Sequence, residues 1–376
     1  MPKILHFADL HLDTPFRCGS PAAAEVRRRE LRETFASLID YIRENDIALA
    51  LVAGDLFDAA AVTKDTAAFV TAQLASAPSC HFVIAPGNHD PMTPDSVYRN
   101  TRFSDNVTVF DRPNLARVSF PALGVDVYGY AFVGSTLETC PAVGQTPKDP
   151  SRLNLLCAHA DVGAVLSPYA PITEGDLAAS GFDYAAFGHV HAYSGLRTAG
   201  RTHYAYCGCP EGRDFGETGY KGALLLDIEK ENGELRLTPT WLRFSRRRYE
   251  VSEVDLSGAV NENDVSRAIE AHLAASGYGE DTLLRLILRG RVSPSLTCDS
   301  RALAQLFGRS LFYLEIEDAT LPLYEAAELE KDAGILGAFF AEMRPLLESG
   351  TPEERREAAR ALRIGLAALR GEEDEI

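Results

Sequence analysis

The sequence predicts an α/β fold: two sheets packed face to face with helices outside, then a small α/β unit and a helical tail. Three observations carry this. Apolar runs alternate with helically spaced segments over the first third, strand-like runs dominate beyond residue 105, and the composition shifts at Arg246-Arg247-Arg248. A chain of 376 residues exceeds what one core usually fills, so two domains plus a tail are expected.

In chain order, Lys3 to Ala8 reads as a buried strand. Glu25 to Glu44 carries Leu31, Phe35, Leu38, Ile39 and Ile42 at helical spacing. Ile47 to Ala53 is the second strand, Thr63 to Ala75 the second helix and His81 to Ala85 the third strand, and this β-α-β-α-β order implies a parallel sheet. Further strands are expected over 107–110, 125–131, 153–158, 184–187, 223–228 and 234–241, with one short helix over 174–179. From Val251 to about Ile316 the pattern gives helix 262–275, strand 282–288, helix 300–307 and strand 312–316, with a break at Leu321-Pro322. The segment Glu325 to Leu369 is helical; Pro352 opens its second helix at a first-turn position, Gly371 ends it, and the acidic Glu372–Glu375 reads as frayed.

Composition excludes several classes. Hydrophobic residues make up 46% and charged residues 24%, as in ordinary soluble domains, and no run reaches the ~18 apolar residues of a membrane span. The N-terminus runs directly into the first strand, with candidate chemistry already at Asp9, which leaves no room for a signal peptide and points to the cytoplasm. Seven cysteines at irregular spacing are expected to be reduced. Cys207-Gly208-Cys209 has no second pair at zinc-like spacing, so its side chains are read as facing the core. The net charge of −17 opposes long-range attraction to nucleic acid, although bound divalent cations add local positive charge that the formal count omits.

Five short clusters put metal-ligand residues directly after apolar strands: Asp9-Leu10-His11, Gly54-Asp55-Leu56-Phe57-Asp58, Gly87-Asn88-His89-Asp90, His159 after Leu155-Leu156-Cys157-Ala158, and Gly188-His189-Val190-His191. In an open α/β sheet the carboxyl ends of parallel strands point into one crevice, so these residues converge without long loops. Extended backbone would turn Asp9 and His11 to one side, and likewise His189 and His191. Gly54, Gly87 and Gly188 stand where a Cβ would crowd the ligands.

The donors are imidazole, carboxylate and one amide oxygen. That set is too oxygen-rich for a structural zinc site and too histidine-rich for a magnesium cage. It suits a pair of divalent ions, Mn²⁺ first, with Fe²⁺ or Zn²⁺ as alternatives. Asp55 is the natural bridge; Asp9, His11 and His191 go to one ion, and Asn88, His159 and His189 to the other. Such a pair activates water for in-line attack on phosphorus. His89 has no slot in that shell and is the candidate general acid, with Asp58 as the first candidate to orient it and Asp90 the second.

The set resembles the calcineurin-like metallophosphoesterase superfamily, whose pattern is D-x-H, G-D-x-x-D, G-N-H-D/E, H and G-H-x-H. The resemblance covers roughly residues 1–245 and implies a four-layer αββα sandwich with a dinuclear site. Phe7-Ala8-Asp9-Leu10-His11-Leu12-Asp13, the Gly87-to-Pro91 run, Gly181-Phe182-Asp183-Tyr184 and Gly216-Glu217-Thr218-Gly219-Tyr220-Lys221-Gly222 resemble the Mre11/SbcD-type DNA repair exonuclease branch, and within it the YhaO-type bacterial exonucleases. That likeness implies a nuclease domain over 1–245, a capping, DNA-binding domain over 250–318, and a helical tail over 325–376 that docks an SbcC/Rad50-like ATPase. Relatives dimerise through helices beside the first domain, so the likeness leaves both a homodimer and a single chain open. Where relatives often read Pro-Gly-Asn, this chain has Cys207-Gly208-Cys209.

Softer features read as follows. His6, inside the first strand, is a core histidine rather than a ligand. His203 lies on a strand near the site. Arg27-Arg28-Arg29 with Arg32 is a solvated helix face, or more sharply a contact to DNA backbone. Arg285, Arg289 and Arg291 divide evenly between plain surface and a face toward a duplex. Leu336, Phe339, Phe340, Met343, Leu346 and Leu347, with Leu362, Ile364 and Leu366, fit an amphipathic helix pair. The expected function is a metal-dependent DNA exonuclease subunit. Its rivals are a phosphodiesterase or phosphatase on small molecules or phosphoproteins, and a DNA- or ATPase-binding scaffold with secondary catalysis.

Overall fold

Short strands buried on both faces organise the first half of the chain. The computed structural model describes residues 2–16, 19–58, 62–293, 296–323 and 329–370. It divides into two units, Met1–Arg248 and Tyr249–Ile376.

The first unit runs β1 (Lys3–Phe7), α1 (Pro21–Glu44), β2 (Leu49–Val52), α2 (Lys64–Ala75), β3 (His81–Ile84), α3 (Val97–Asn100), β4 (Val107–Val109), β5 (Ala116–Phe120), β6 (Val125–Gly129), β7 (Leu153–His159), α4 (Glu174–Ser180), β8 (Tyr184–Gly188), β9 (Arg197–Ala199), β10 (Thr202–Tyr206), β11 (Gly222–Glu231) and β12 (Glu234–Arg243). One six-stranded sheet has the order β12-β11-β1-β2-β3-β4 and the other β5-β6-β7-β8-β10-β9. β1 to β4 are parallel, as are β6, β7, β8 and β10. The sheets meet face to face: His6 Nδ1 on β1 bonds the Tyr184 hydroxyl on β8 at 2.9 Å, and the Cys157 thiol on β7 reaches Val52 O on β2 at 3.5 Å. The second sheet's outer face carries its own core, where Tyr128, Leu156, Ala185 and Tyr204 pack with Leu177 of α4.

Local chemistry sets the element ends. Ser20 and Thr63 cap α1 and α2 by accepting from the third backbone N–H beyond. Thr173 and Asp176 form a capping box on α4, and Gly181, at φ 78°, ends it. β11 and β12 join through Asn232-Gly233, both with positive φ (52° and 81°), the backbone an Asn-Gly hairpin turn favours.

His6 is fully buried, and burial lowers its imidazole to about 3, so it is a neutral core histidine. Cys207 and Cys209 are also fully buried, and burial holds both thiols well above their usual range, as core-facing side chains require. The reading of Arg27 needs correction, because it is neither solvated nor free for DNA. It is 0% exposed and bonds Glu30 at 2.7 Å, Glu211 at 2.7 Å and Gly212 O at 2.9 Å. Arg28, Arg29 and Arg32 remain partly exposed and pair with Glu25, Glu33 and Asp13.

The second unit holds β13 (Arg248–Asp255), α5 (Glu262–Ser276), β14 (Thr282–Arg289), β15 (Arg291–Val292), α6 (Ser300–Phe307), β16 (Tyr313–Asp318), β17 (Leu321–Pro322), α7 (Ile335–Ser349) and α8 (Pro352–Arg370). Its sheet is β13-β14-β16, over a core that includes Ile269, Leu284, Leu286 and Leu288. Leu321-Pro322 does not break the unit but pairs in parallel with Arg291-Val292. Arg285 and Arg289 meet neighbouring-strand carboxylates, Glu315 at 3.3 Å and Glu253 at 2.7 Å, while Arg291 is exposed. α7 and α8 pack on each other through Phe339, Phe340, Met343, Leu362 and Leu366, leaving Leu346 and Ile364 exposed. Gly371 and Glu372–Glu375 lie outside the described residues.

Candidate metal centre

The strand ends deliver the site. Asp9 and His11 follow β1, Asp55 follows β2, Asn88 and His89 follow β3, His159 closes β7, and His189 and His191 follow β8. β1, β2 and β3 are adjacent in one sheet and β7 and β8 in the other, so two sets of carboxyl-terminal ends face one another.

Extended backbone does not produce the convergence of Asp9 with His11, contrary to what simple strand alternation predicts. Asp9 (φ 54°), His11 (47°), Asp55 (51°) and His189 (101°) all lie in the left-handed region, which is rare for residues with a Cβ and characteristic of strained functional sites. Hydrogen bonds impose it. Asp9 N donates to Gly54 O at 3.0 Å, His11 N to Asp55 O at 2.9 Å, and His189 N to Asp9 Oδ1 at 3.0 Å. The glycines are required by space, as expected. A Cβ at Gly54 would lie 2.4 Å from His159 Nδ1, one at Gly87 2.2 Å from Asp55 Oδ1, and one at Gly188 2.0 Å from Ala53 O.

The side chains form overlapping groups. Ligand atoms of Asp9, His11 and His191 lie within 4.8 Å of one another, as do those of Asp9, Asp55 and His159, and those of His11, Asp55 and His89. Asp55 Oδ2 stands 3.6 Å from His11 Nε2 and 3.3 Å from His159 Nε2, between the two imidazoles. His159 Nδ1 is 3.0 Å from Ala53 O, so it carries hydrogen and donates, which turns Nε2 toward Asn88 Oδ1 at 2.9 Å. His189 Nε2 lies 3.9 Å from Asp161 Oδ2, and its ring packs on Tyr169 at 4.8 Å.

The residues fit divalent cations. Both ring nitrogens of His11 are buried and have no hydrogen-bond partner among the described residues, a costly state unless an ion takes one of them. Asp9 and Asp55 are 0% and 1% exposed. Burial raises the Asp9 carboxyl above its usual range, and the nearby Asp55 charge adds to this against the pull of His191 and His159. Burial also favours neutral Asp55, but His159 outweighs it and holds Asp55 below the ordinary carboxylate range. Burial keeps His11 well below 6.5 and takes His189 to about 4, so both imidazoles are neutral and able to ligate. Burial would lower the His159 imidazole, but Asp55 and Asp9 outweigh it and raise it to about 9, so it is a cation beside two buried carboxylates, where a bound ion would take over that charge.

His89 sits at the exposed rim. Its backbone N–H donates to Asp55 Oδ1 at 2.9 Å, and its ring meets His11 edge-on at 4.8 Å. Neither carboxylate suggested to orient it does so here. Among the described residues Asp58 makes no side-chain hydrogen bond or ion pair, and its backbone N–H donates to Leu12 O. Asp90 is buried and committed elsewhere: it accepts from the backbone N–H groups of Asp55, Leu56, Phe57 and Gly87 at 2.7–3.2 Å and from the Tyr98 hydroxyl at 2.6 Å. It therefore splices the loop after β3 to the loop after β2.

Spacing missed one contributor. Glu217 Oε1 lies 2.6 Å from His191 Nδ1, although the two are 26 residues apart. Its only sequence signal was its place in the Gly216–Gly222 stretch.

The calcineurin-like phosphoesterase family profile matches residues 2–193. The chain is 27% identical over 354 residues to a Bacillus subtilis protein described as an uncharacterized metallophosphoesterase, YhaO, a match that covers 89% of this chain and 84% of the relative. It is 23% identical over 327 residues to the DNA double-strand break repair protein Mre11 of Methanopyrus kandleri, covering 80% of this chain and 65% of that one. With the Aeropyrum pernix protein of the same description it shares 31% identity over 229 residues, 55% of this chain and 53% of the relative. The chain thus spans less than two thirds of either Mre11 relative.

Proposed function

The chain belongs to the calcineurin-like phosphoesterase family of metal-dependent hydrolases, and on that footing we propose that it is a DNA nuclease, an exonuclease subunit that cleaves phosphodiester bonds at DNA ends. The observation that carries the choice of DNA is the length of the likeness to the Methanopyrus kandleri repair protein. It reaches 80% of this chain, more than the first unit alone can supply.

Asp9, His11 and His191 would hold one ion, Asn88, His159 and His189 the other, and Asp55 would serve both, with Mn²⁺ preferred over Fe²⁺ or Zn²⁺. When bound, the pair activates water and neutralises charge on the phosphoryl oxygens. The protein's own part is to hold Asp9, His11, Asp55 and His189 in left-handed backbone, to keep His11 and His189 neutral, and to present His89 at the open rim. There its imidazole gives a proton to the leaving oxygen. Asp58, whose side chain makes no hydrogen bond among the described residues, orients that imidazole when substrate is bound.

Residues 1–245 act as the nuclease domain and 250–318 as the capping, DNA-binding domain, with Arg291 as one exposed cation of it. The α7–α8 pair within 325–376 docks an SbcC/Rad50-like ATPase, with exposed Leu346 and Ile364 available to it. Mn²⁺-loaded protein offered linear duplex DNA, cyclic nucleotides and phosphopeptides side by side is expected to hydrolyse DNA fastest. Faster turnover of a phosphopeptide or cyclic nucleotide overturns the choice of DNA. Deleting 325–376 is expected to leave hydrolysis of bis-p-nitrophenyl phosphate unchanged and to abolish capture of the ATPase. A pull-down that still recovers it removes the tail from that role.

A further inference from the structure

His191 Nδ1 has two polar neighbours that ask opposite things of the ring. Glu217 Oε1 stands at 2.6 Å and Arg213 Nη2 at 2.8 Å. We infer that Glu217 is a positioning residue that selects the ligating tautomer of His191, and that Arg213 makes the selection necessary. The inference rests on reading His191 as a metal ligand.

A carboxylate only accepts. It therefore keeps hydrogen on Nδ1 and leaves the Nε2 lone pair, 3.7 Å from Asp9 Oδ1, for an ion. A guanidinium only donates. Left alone against Nδ1 it would move the ring hydrogen to Nε2, and His191 could no longer ligate. Glu217 prevents this by engaging the guanidinium itself, with Arg213 Nε at 3.2 Å and Nη2 at 2.9 Å from Oε1. Its other oxygen is fixed as well: Arg213 N donates to Oε2 at 2.8 Å, and the Cys209 thiol lies 3.7 Å away. Glu217 is 8% exposed, so water does not readily replace it. Cys209 thereby gains a definite place in the site, on the outer oxygen of the carboxylate that sets His191.

The test is calorimetric titration of the full-length, metal-stripped protein with Mn²⁺, paired with elemental analysis of ions retained per chain. Glu217→Ala is expected to weaken one of the two sites by about 10- to 100-fold, the usual effect of losing a partner behind a ligating histidine. The double variant with Arg213→Ala should bind more tightly than Glu217→Ala alone, because no donor then forces hydrogen onto Nε2. A merely structural role for Glu217 predicts the reverse, with the double variant as weak or weaker. If Glu217→Ala does not fold by circular dichroism, Glu217→Leu keeps the bulk without an acceptor, and the same comparison with and without Arg213→Ala applies. A wild type that takes up no Mn²⁺ overturns the metal reading and this inference with it. A wild type with two sites and a Glu217 variant of undiminished affinity, or one not improved by Arg213→Ala, overturns this inference alone.

Discussion

His89→Ala is expected to keep its metal ions and to lose about 10²- to 10⁴-fold in turnover of DNA, the range that general acid–base catalysis contributes. The bond from residue 89 to Asp55 Oδ1 comes from the backbone N–H, so truncating the imidazole leaves the bridge in place. The ring is exposed at the rim, where a departing oxygen can meet it. A sugar hydroxyl is a poor leaving group and needs the proton, whereas p-nitrophenolate leaves unaided. The loss should therefore be much smaller on bis-p-nitrophenyl phosphate than on DNA. Steady-state turnover on both substrates, with elemental analysis of the variant, checks this. Loss of an ion would make His89 a ligand, a role its proximity to His11 and Asp55 allows. Equal losses on both substrates would remove it as the acid.

Arg27→Ala is expected to destabilise the first unit by about 3–5 kcal/mol, the cost of removing one partner from a buried ion network. Arg27 joins Glu30 on its own helix to Glu211, 184 residues away, and Glu211 also accepts from Thr34 and from Arg246 N. Truncation strands carboxylates that the fold has already dehydrated. Arg27→Lys should recover only part of the loss, because an ammonium cannot span both carboxylates as a guanidinium fork does. The single tryptophan, Trp241 on β12, reports denaturant unfolding of this unit. Acid should act in the same direction. Burial would raise the Glu30 carboxyl, but Arg247 and Arg27 outweigh it and hold Glu30 below its usual range. Its contribution is therefore complete above the unfolded carboxylate's pKa and is lost as pH falls through the lower folded value, and Arg27→Ala should flatten that acid limb. A variant as stable as wild type, or an unchanged acid limb, contradicts this account of the network.

The strand ends and donor clusters were legible because a buried strand is a run of apolar residues and a ligand after it breaks that run abruptly. Gly54, Gly87 and Gly188 were legible for a related reason, since only a missing Cβ lets two loops approach a common point. What was hidden depended on partners distant in sequence. Arg27 looks like its neighbours in Arg27-Arg28-Arg29 until Glu211 is placed beside it. Asp90 and Asp58 are equally plausible neighbours for His89 on spacing, and only the fold shows four backbone amides and Tyr98 occupying Asp90. The left-handed backbone at Asp9, His11, Asp55 and His189 leaves no mark, because the residues there are chosen for chemistry rather than for φ. The unforeseen strands β5 and β9 are short and partly exposed.

The most direct test of the central claim is the metal count. Calorimetric titration of the stripped protein with Mn²⁺, checked by elemental analysis after dialysis, should give two ions per chain, and Asp55→Asn should lose affinity at both sites together. A single ion, or an Asp55→Asn protein that loses one site and keeps the other at full affinity, would contradict a bridged pair.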